Sequence, residues 1–420
     1  MKKLKRITLI LSVLLAWIVF VGLGFTNGYL LFSIDSSHSP QGFIEALEEQ
    51  ANTQFIGNIS VALIENGRVV SSYHYDHQGL EVNEHSAFPV ASISKWVTAV
   101  GVLKLVDNGL LDLDKPVENY LARWHLPESE FDNDGVTVRR LLSHSAGFDD
   151  DLGYGGFKEG EQIQSLEESL TSAADGYYEG AKARVGYQPG SQFMYSGAGY
   201  TLLQLLIEEV TGKAFNEYMN LEIFEPLRMI NTSFLLSDSE SIDLVPVYRA
   251  DGSKRPMNRF TAKAAASLMT STDDLAKFII ALNQDRELLS NASLALMKKA
   301  ESFRNNYPWY GLGVRVYADE SMQIRVIGHD GSGNDAINSA ARYDCEEKDG
   351  IIVFSTGNPA FASDIADEWM FWQAGIADRV VMQRNLPYLA GLLVLGILFI
   401  ITVFIVHARR TKPKDQVDPE

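Results

Sequence analysis

The sequence predicts an α+β protein held between two apolar helices, and three observations predict it. Ile59 to Ile64 and Val69 to Tyr75 alternate around Asn66-Gly67, a dipeptide suited to a two-residue hairpin turn. Tyr310 to Tyr317, Gln323 to Ile327, Ala336 to Arg342 and Ile351 to Ser355 read as short strands separated by turns. Between these two β-rich regions helical spacing dominates, most clearly in Ile93, Trp96, Val97, Val100, Leu103 and Leu105. With 420 residues, 46% apolar and 21% charged, the chain has an ordinary globular balance and length enough for a large core.

The ends justify the flanking helices. Ile7 to Phe25 and Leu386 to Val406 carry no charge, and each is long enough to cross a bilayer, which takes about 20 residues. Lys2, Lys3, Lys5 and Arg6 precede the first, and Arg409, Arg410, Lys412 and Lys414 follow the second. Basic residues stay on the cytoplasmic side, so both termini are expected in the cytoplasm and the body outside the plasma membrane. No Ala-x-Ala site follows the first segment, which favours a retained anchor over a cleaved signal sequence. The expected organisation is therefore 1–30 as basic segment and anchor, 41–378 as the folded body, 386–406 as a second span and 407–420 as a basic tail.

The formal net charge is −18 although both ends are basic, so the body is strongly acidic and is expected to repel nucleic acid. Cys345 is the single cysteine, which excludes an internal disulfide and reads as a small buried hydrophobe.

Along the body, a polar linker from Ser33 to Pro40 leads to a helix from Gln41 to Ala51 and then to the hairpin. His74, Asp76 and His77 do not make a metal site, because His77 faces away from His74 on a strand. The helix after Pro89 stops at Gly109. Residues 148–186 are rich in glycine and acids, and so long a connection reads as a lid or a substrate-facing loop. Asp149, Asp150 and Asp151 lack the spacing of a calcium loop. Pro189-Gly190 marks a turn before Tyr195, a helix runs from Thr201 to Val210, Thr272 starts another, and Pro359 to Gly375 closes the body.

The chemistry centres on Phe88-Pro-Val-Ala-Ser-Ile-Ser-Lys95. Ser92 falls in the first helical turn with Lys95 three residues on, so hydroxyl and amine share a face. A serine is a weak nucleophile until a base takes its proton, and a lysine shielded from water can be that base. The competing reading makes Ser92 a helix cap. His144, in Leu-Leu-Ser-His-Ser-Ala-Gly147, is read as packing a turn near the site, since Lys95 already supplies a base. Tyr195, flanked by serine and glycine, is placed for chemistry, while Gly328-His-Asp-Gly-Ser-Gly333 lets backbone N–H groups approach a ligand.

Together these stretches resemble the serine β-lactamase/penicillin-binding-protein superfamily, in the class C-like branch that holds β-lactamases, DD-peptidases, D-aminopeptidases and certain esterases. The resemblance runs in order from about Gln41 to Gly375. Ser92-Ile-Ser-Lys95 is similar to the nucleophile motif, and Leu141 to Phe148 resembles the branch's Leu-Leu-Thr-His-Thr-Ser-Gly. Tyr195-Ser196-Gly197 stands where Tyr-x-Asn is usual, and His329-Asp330-Gly331 where Lys-Thr-Gly or His-x-Gly is usual.

The resemblance implies a β-lactamase/transpeptidase-like fold: an antiparallel sheet built from both ends of the body, flanking helices and an inserted, mostly helical subdomain, with the site at the seam. It implies an acyl-enzyme on Ser92, with Lys95 and Tyr195 moving protons and the backbone N–H groups of Ser92 and Ser332 forming an oxyanion hole. It places His329, Asp330, Gly331 and Gly197 beside the substrate, a small molecule or peptide, and implies neither metal nor cofactor. Gly197 and Asp330 depart from the pattern. Asp330 is expected to repel a substrate carboxylate unless His329 pairs with it, which points to neutral or amine-bearing peptides, D-amino-acid derivatives or esters over β-lactams. A catalytically silent binding or assembly protein, and a penicillin-binding protein that is acylated and stops, stay open as alternatives.

Overall fold

The computed structural model describes residues 2–52, 55–149, 153–178, 180–283, 288–319, 321–333 and 336–410. Asp150 and Asp151 of the acidic run and residues 411–420 of the basic tail lie outside the described residues. The longer helices include α1 (Lys2–Thr26), α2 (Pro40–Asn52), α3 (Ile93–Asp107), α4 (Gly197–Thr211), α5 (Phe361–Ala374) and α6 (Arg379–Arg410).

One sheet of eight antiparallel strands carries the body. Its strands are β1 (Asn58–Glu65), β2 (Arg68–Asp76), β3 (Ser302–Arg304), β4 (Tyr307–Tyr310), β5 (Arg315–Ala318), β6 (Ile324–Gly333), β7 (Ile337–Asp344) and β8 (Asp349–Thr356). The spatial order is β2-β1-β8-β7-β6-β5-β4-β3, so the two ends of the body meet where β1 pairs with β8, from Asn58 opposite Thr356 to Ile64 opposite Gly350. Asn66 and Gly67 turn the first hairpin with φ of 50° and 71°, the left-handed pair that a two-residue turn between twisted strands requires. Strands β7 and β8 are buried along their whole length, whereas β2, at the edge, is only partly covered.

The run 310–317, expected as one strand, is two. Gly311 N–H donates to the Val314 carbonyl at 2.9 Å and closes a turn between β4 and β5. Gly313, at φ 83°, lies so near α3 that a Cβ there would sit 2.0 Å from Ala99 Cβ. Close contact with a helix far away in sequence breaks the strand, which local alternation does not reveal.

Each face of the sheet has its own core. On one side α2 and α5 bring Phe43, Leu47, Trp369 and Met370 onto Val61, Val326, Ala340 and Val353. On the other, α3, α4 and the inserted segment between β2 and β3 bring Trp96, Val100, Leu103 and Leu202 onto Ile327, Ala341 and Phe354. Helix α3 is buried almost all round rather than on one stripe, as a central helix must be. Helix α4 starts at Ser196, whose hydroxyl accepts from Gly199 N–H, and stops at Gly212 with φ 65°.

The terminal helices are long and apolar enough to cross a membrane, over Leu4–Thr26 and Arg379–Ala408. They pack antiparallel: Arg6 Nη2 donates to the Phe404 carbonyl at 2.6 Å, and Phe25 meets Val381 at the other end. Gly396 lies under the Trp17 ring, where a Cβ would come within 2.2 Å of the indole. At the foot of the pair, buried Asn385 accepts from Phe32 N–H and donates to the Phe32 carbonyl, while Arg384 pairs with Glu368 of α5 at 2.5 Å. The helical pair is thereby tied to the body rather than trailing from it.

Candidate active site

The site begins at a strained turn. Pro89 ends a short bridge to Met269, and Ala91 takes a left-handed φ of 44°, uncommon for a residue with a Cβ. That turn puts Ser92 at the N-cap of α3, where its side chain makes no capping hydrogen bond. The hydroxyl meets Lys95 instead, whose Nζ lies 3.2 Å from Ser92 Oγ. The cap reading of Ser92 therefore fails on geometry. Lys95 is only 3% exposed, and its Nζ also donates to the Ala265 carbonyl at 2.7 Å. The short helix Lys263–Ala266 supplies that carbonyl, and a backbone atom leaves no trace in a motif.

Tyr195 comes from the turn before α4, with its ring centroid 4.9 Å from Lys95 Nζ. His144 holds this turn: its Nδ1 accepts from Ser196 N–H at 3.1 Å, its carbonyl accepts from Met194 N–H, and its ring packs tilted against Tyr195 with centroids 4.3 Å apart. Burial, helped by Lys95 and His329, holds the His144 imidazole well below its ordinary range. Neutral, with Nδ1 accepting, His144 packs and orients.

Behind Lys95 lies a polar aromatic cluster. The Tyr310 hydroxyl donates to His329 Nε2 at 2.7 Å, and His329 Nδ1 donates to the Asp330 carbonyl at 2.6 Å, because a carbonyl can only accept. This arrangement is a neutral imidazole, and burial next to Lys95 pushes the His329 pKa down to about 4. Burial likewise raises the Tyr200 and Tyr310 hydroxyls well above their usual value, so both are neutral donors.

A cavity of about 330 Å³ opens over Ser92. Ser92, Lys95, Tyr195 and Ser332 all lie on its wall, with Tyr154, Tyr177 and Tyr178 of the 148–186 segment facing them. Arg255, Met257 and Phe260 complete another side.

The other four residues expected beside the substrate do not line this cavity. Gly197 is the buried first residue of α4. Gly331 acts as a spacer: a Cβ there would sit 2.1 Å from the Val90 carbonyl, so glycine lets β6 lie directly against the turn that carries Ser92. His329 is buried behind the cavity.

Asp330 corrects the sequence reading. Its neighbours in register place it on the α2/α5 face of the sheet, turned away from Ser92. Its Oδ1 lies 2.8 Å from Arg342 Nη1, so Arg342, not His329, is its partner. Burial works to raise the Asp330 carboxyl, but the guanidinium outweighs it and the net shift is downward. Period-two alternation puts residues 329 and 330 on opposite faces, and sequence reading overlooked both that and Arg342.

The Beta-lactamase family model matches residues 43–371. Protein flp of Staphylococcus aureus (strain COL) is 25% identical over 256 residues, covering 58% of this chain and 49% of the relative. Penicillin-binding protein 4* of Bacillus subtilis (strain 168) is 30% identical over 203 residues, covering 46% of this chain and 40% of the relative. The chain thus spans about half the length, or less, of these curated relatives. The octameric penicillin-binding protein homologue from Pyrococcus abyssi superimposes with a TM-score of 0.67 at 26% identity, over 83% of this chain and 79% of that one.

Proposed function

The chain belongs to the Beta-lactamase family, a family of serine acyl-enzyme hydrolases, and from that premise we propose that it is a serine hydrolase acting through Ser92 on peptide, D-amino-acid or ester substrates. The observation that carries the reading is the 3.2 Å approach of Lys95 Nζ to an uncapped Ser92 Oγ on the wall of a cavity.

Ser92 Oγ attacks the substrate carbonyl as its proton passes to the Lys95 amine, which the Ala265 carbonyl orients. The negative charge gathers on the former carbonyl oxygen, where the N–H groups of Ser92 and Ser332 receive it, each worth roughly 3 kcal/mol in comparable sites. Collapse expels the leaving group, which takes a proton through Tyr195 and leaves an ester on Ser92. Water then attacks that ester over the same groups, releasing the acid and returning the proton to Ser92.

The cavity suits a compact acyl group with an apolar side chain, because Tyr154, Tyr177, Tyr178, Met257, Phe260 and Ile337 supply much of its wall. Asp330 faces away, so it adds no repulsion inside the cavity. We place the body outside the plasma membrane with both termini in the cytoplasm, a reading supported by the antiparallel terminal helices and their basic outer flanks.

The test uses the full chain in detergent with a fluorophosphonate probe and a panel of chromogenic esters, D-amino-acid amides and a cephalosporin. Wild type is expected to label and Ser92→Ala to stay at background, with turnover of esters or amides. Equal labelling of the two proteins rejects the assignment. Stable β-lactam labelling without turnover would move the reading to a penicillin-binding receptor. A folded, probe-silent protein would move it to binding or assembly.

A further inference from the structure

We propose that Arg342 is a positioning residue for the oxyanion hole: from the opposite face of the sheet it holds Asp330, and through it the stretch of β6 that presents the Ser332 N–H. The proposal rests on the hydrolase reading for its catalytic consequence, though the contact itself is independent of that reading.

Arg342 stands in β7 and is only 1% exposed. Its Nη1 lies 2.8 Å from Asp330 Oδ1 in β6, and its Nη2 donates to Asp367 Oδ1 in α5 at 3.1 Å. Nη1 also donates to the Ala341 carbonyl, and the Tyr317 ring of β5 lies 4.7 Å from the guanidinium carbon. One buried cation therefore ties three strands to the helix that covers them. The guanidinium is buried while the Asp330 side chain is 34% exposed; such a pair adds little net stability compared with apolar packing, yet losing the carboxylate leaves a desolvated cation short of a partner. Its contribution here is to fix where β6 sits.

The position matters because of what lies on either side of β6. Gly331, one residue before Ser332, rests against the Val90 carbonyl and has no room for a side chain to anchor the strand. On the site side, the hold comes from Ser339, whose hydroxyl donates to the Val90 carbonyl at 2.8 Å. On the far side it comes from Asp330, which shares the face of Ser332 in the strand's alternation. The Ser332 N–H is thus set between a backbone contact and a charged one. Oxyanion donors act only when aligned with the developing charge, so a strand free to drift by a fraction of an ångström loses rate before it loses its fold.

The experiment compares Arg342→Leu, Asp330→Asn and the double variant Arg342→Leu/Asp330→Thr in the full chain. The readouts are ester kcat and KM, affinity for phenylboronic acid, whose tetrahedral adduct occupies the oxyanion hole, and hydrogen exchange of the 329–333 segment. Arg342→Leu is expected to lower kcat and weaken the boronate by about tenfold while KM stays within about twofold. The double variant should recover part of the loss, because it leaves neither member of the pair alone. Unchanged kcat and boronate affinity in folded variants, or a loss confined to KM, overturns the proposal. Should Arg342→Leu fail to fold, Asp330→Asn makes the same comparison, since it leaves Asp367 to the guanidinium. If wild type neither turns over nor binds the boronate, the hydrolase reading has failed. Hydrogen exchange then decides: faster exchange at 329–333 in Arg342→Leu than in wild type, with β8 unchanged, upholds the anchoring role, and equal exchange in the two proteins rejects it.

Discussion

The floor and the outer wall of the cavity are built on opposite principles. The floor is α3 with Ser92 and Lys95, sunk in the core and crossed at van der Waals contact by Gly313 and Gly331, neither of which leaves space for a methyl group. The outer wall is the glycine-rich segment that carries Tyr154, Tyr177 and Tyr178. Tyr177 and Tyr178 are largely exposed, regular structure there is limited to the short helix Leu166–Thr171 among the described residues, and the Asp175 carboxylate is buried. The difference is instructive. Ser92 and Lys95 sit where packing leaves no alternative position, while the opposite wall of the cavity is built with little regular structure.

The floor carries the largest expected effect. Lys95→Met is expected to cut the fluorophosphonate labelling rate by about 10²–10⁴-fold, the range for losing a general base, while the melting temperature moves by only a few degrees. A variant that labels at the wild-type rate would remove Lys95 from the chemistry.

Gly331→Ala tests whether the floor is as tight as described. The new Cβ would meet the Val90 carbonyl at 2.1 Å and Ser339 Oγ at 2.3 Å, so either β6 or the Ser92 turn must move. Overpacking of this kind costs about 1–3 kcal/mol, read as a lower urea midpoint, and the displaced Ser332 N–H should slow acylation as well. An unchanged midpoint would show that the contact has slack.

Much of the floor was legible in the sequence because it is local. Ser92 and Lys95 lie one helical turn apart, Asn66-Gly67 names its own turn, and the glycines around Tyr195 mark a tight turn, although the tyrosine on it is half-buried rather than exposed. What escaped is non-local or belongs to the backbone. The Ala265 carbonyl has no signature. The facing of Asp330 follows from its register with β7, and its partner Arg342 is recognised only once Asp367, on a helix that follows in sequence, is seen to share the guanidinium. The break at Gly313 depends on Ala99, far earlier in the chain. Likewise, hydropathy finds the two terminal helices, but the fit of Trp17 over Gly396 that pairs them appears only in three dimensions.

The wall offers the smallest effect, and its size depends on pH. Burial pushes the Asp175 carboxyl up to about 6 from its ordinary 3.8, outweighing the backbone N–H groups of Asp175 and Gly156 that act to lower it, so the folded chain holds this proton at a pH where the unfolded chain has released it. A group whose folded pKa is raised makes the fold less stable as pH rises from about 4 to about 6, and the penalty is complete above that. Asp175→Asn removes the charge and with it the penalty, so it should stabilise at pH 7.5 and do almost nothing at pH 4. A segment with so little regular structure is expected to open locally before the rest of the chain, so global melting should register only part of the gain, about 1 kcal/mol, while resistance of residues 153–178 to proteolysis should register more. A stabilisation of equal size at both pH values would mean that packing, not the buried charge, sets the stability of this wall.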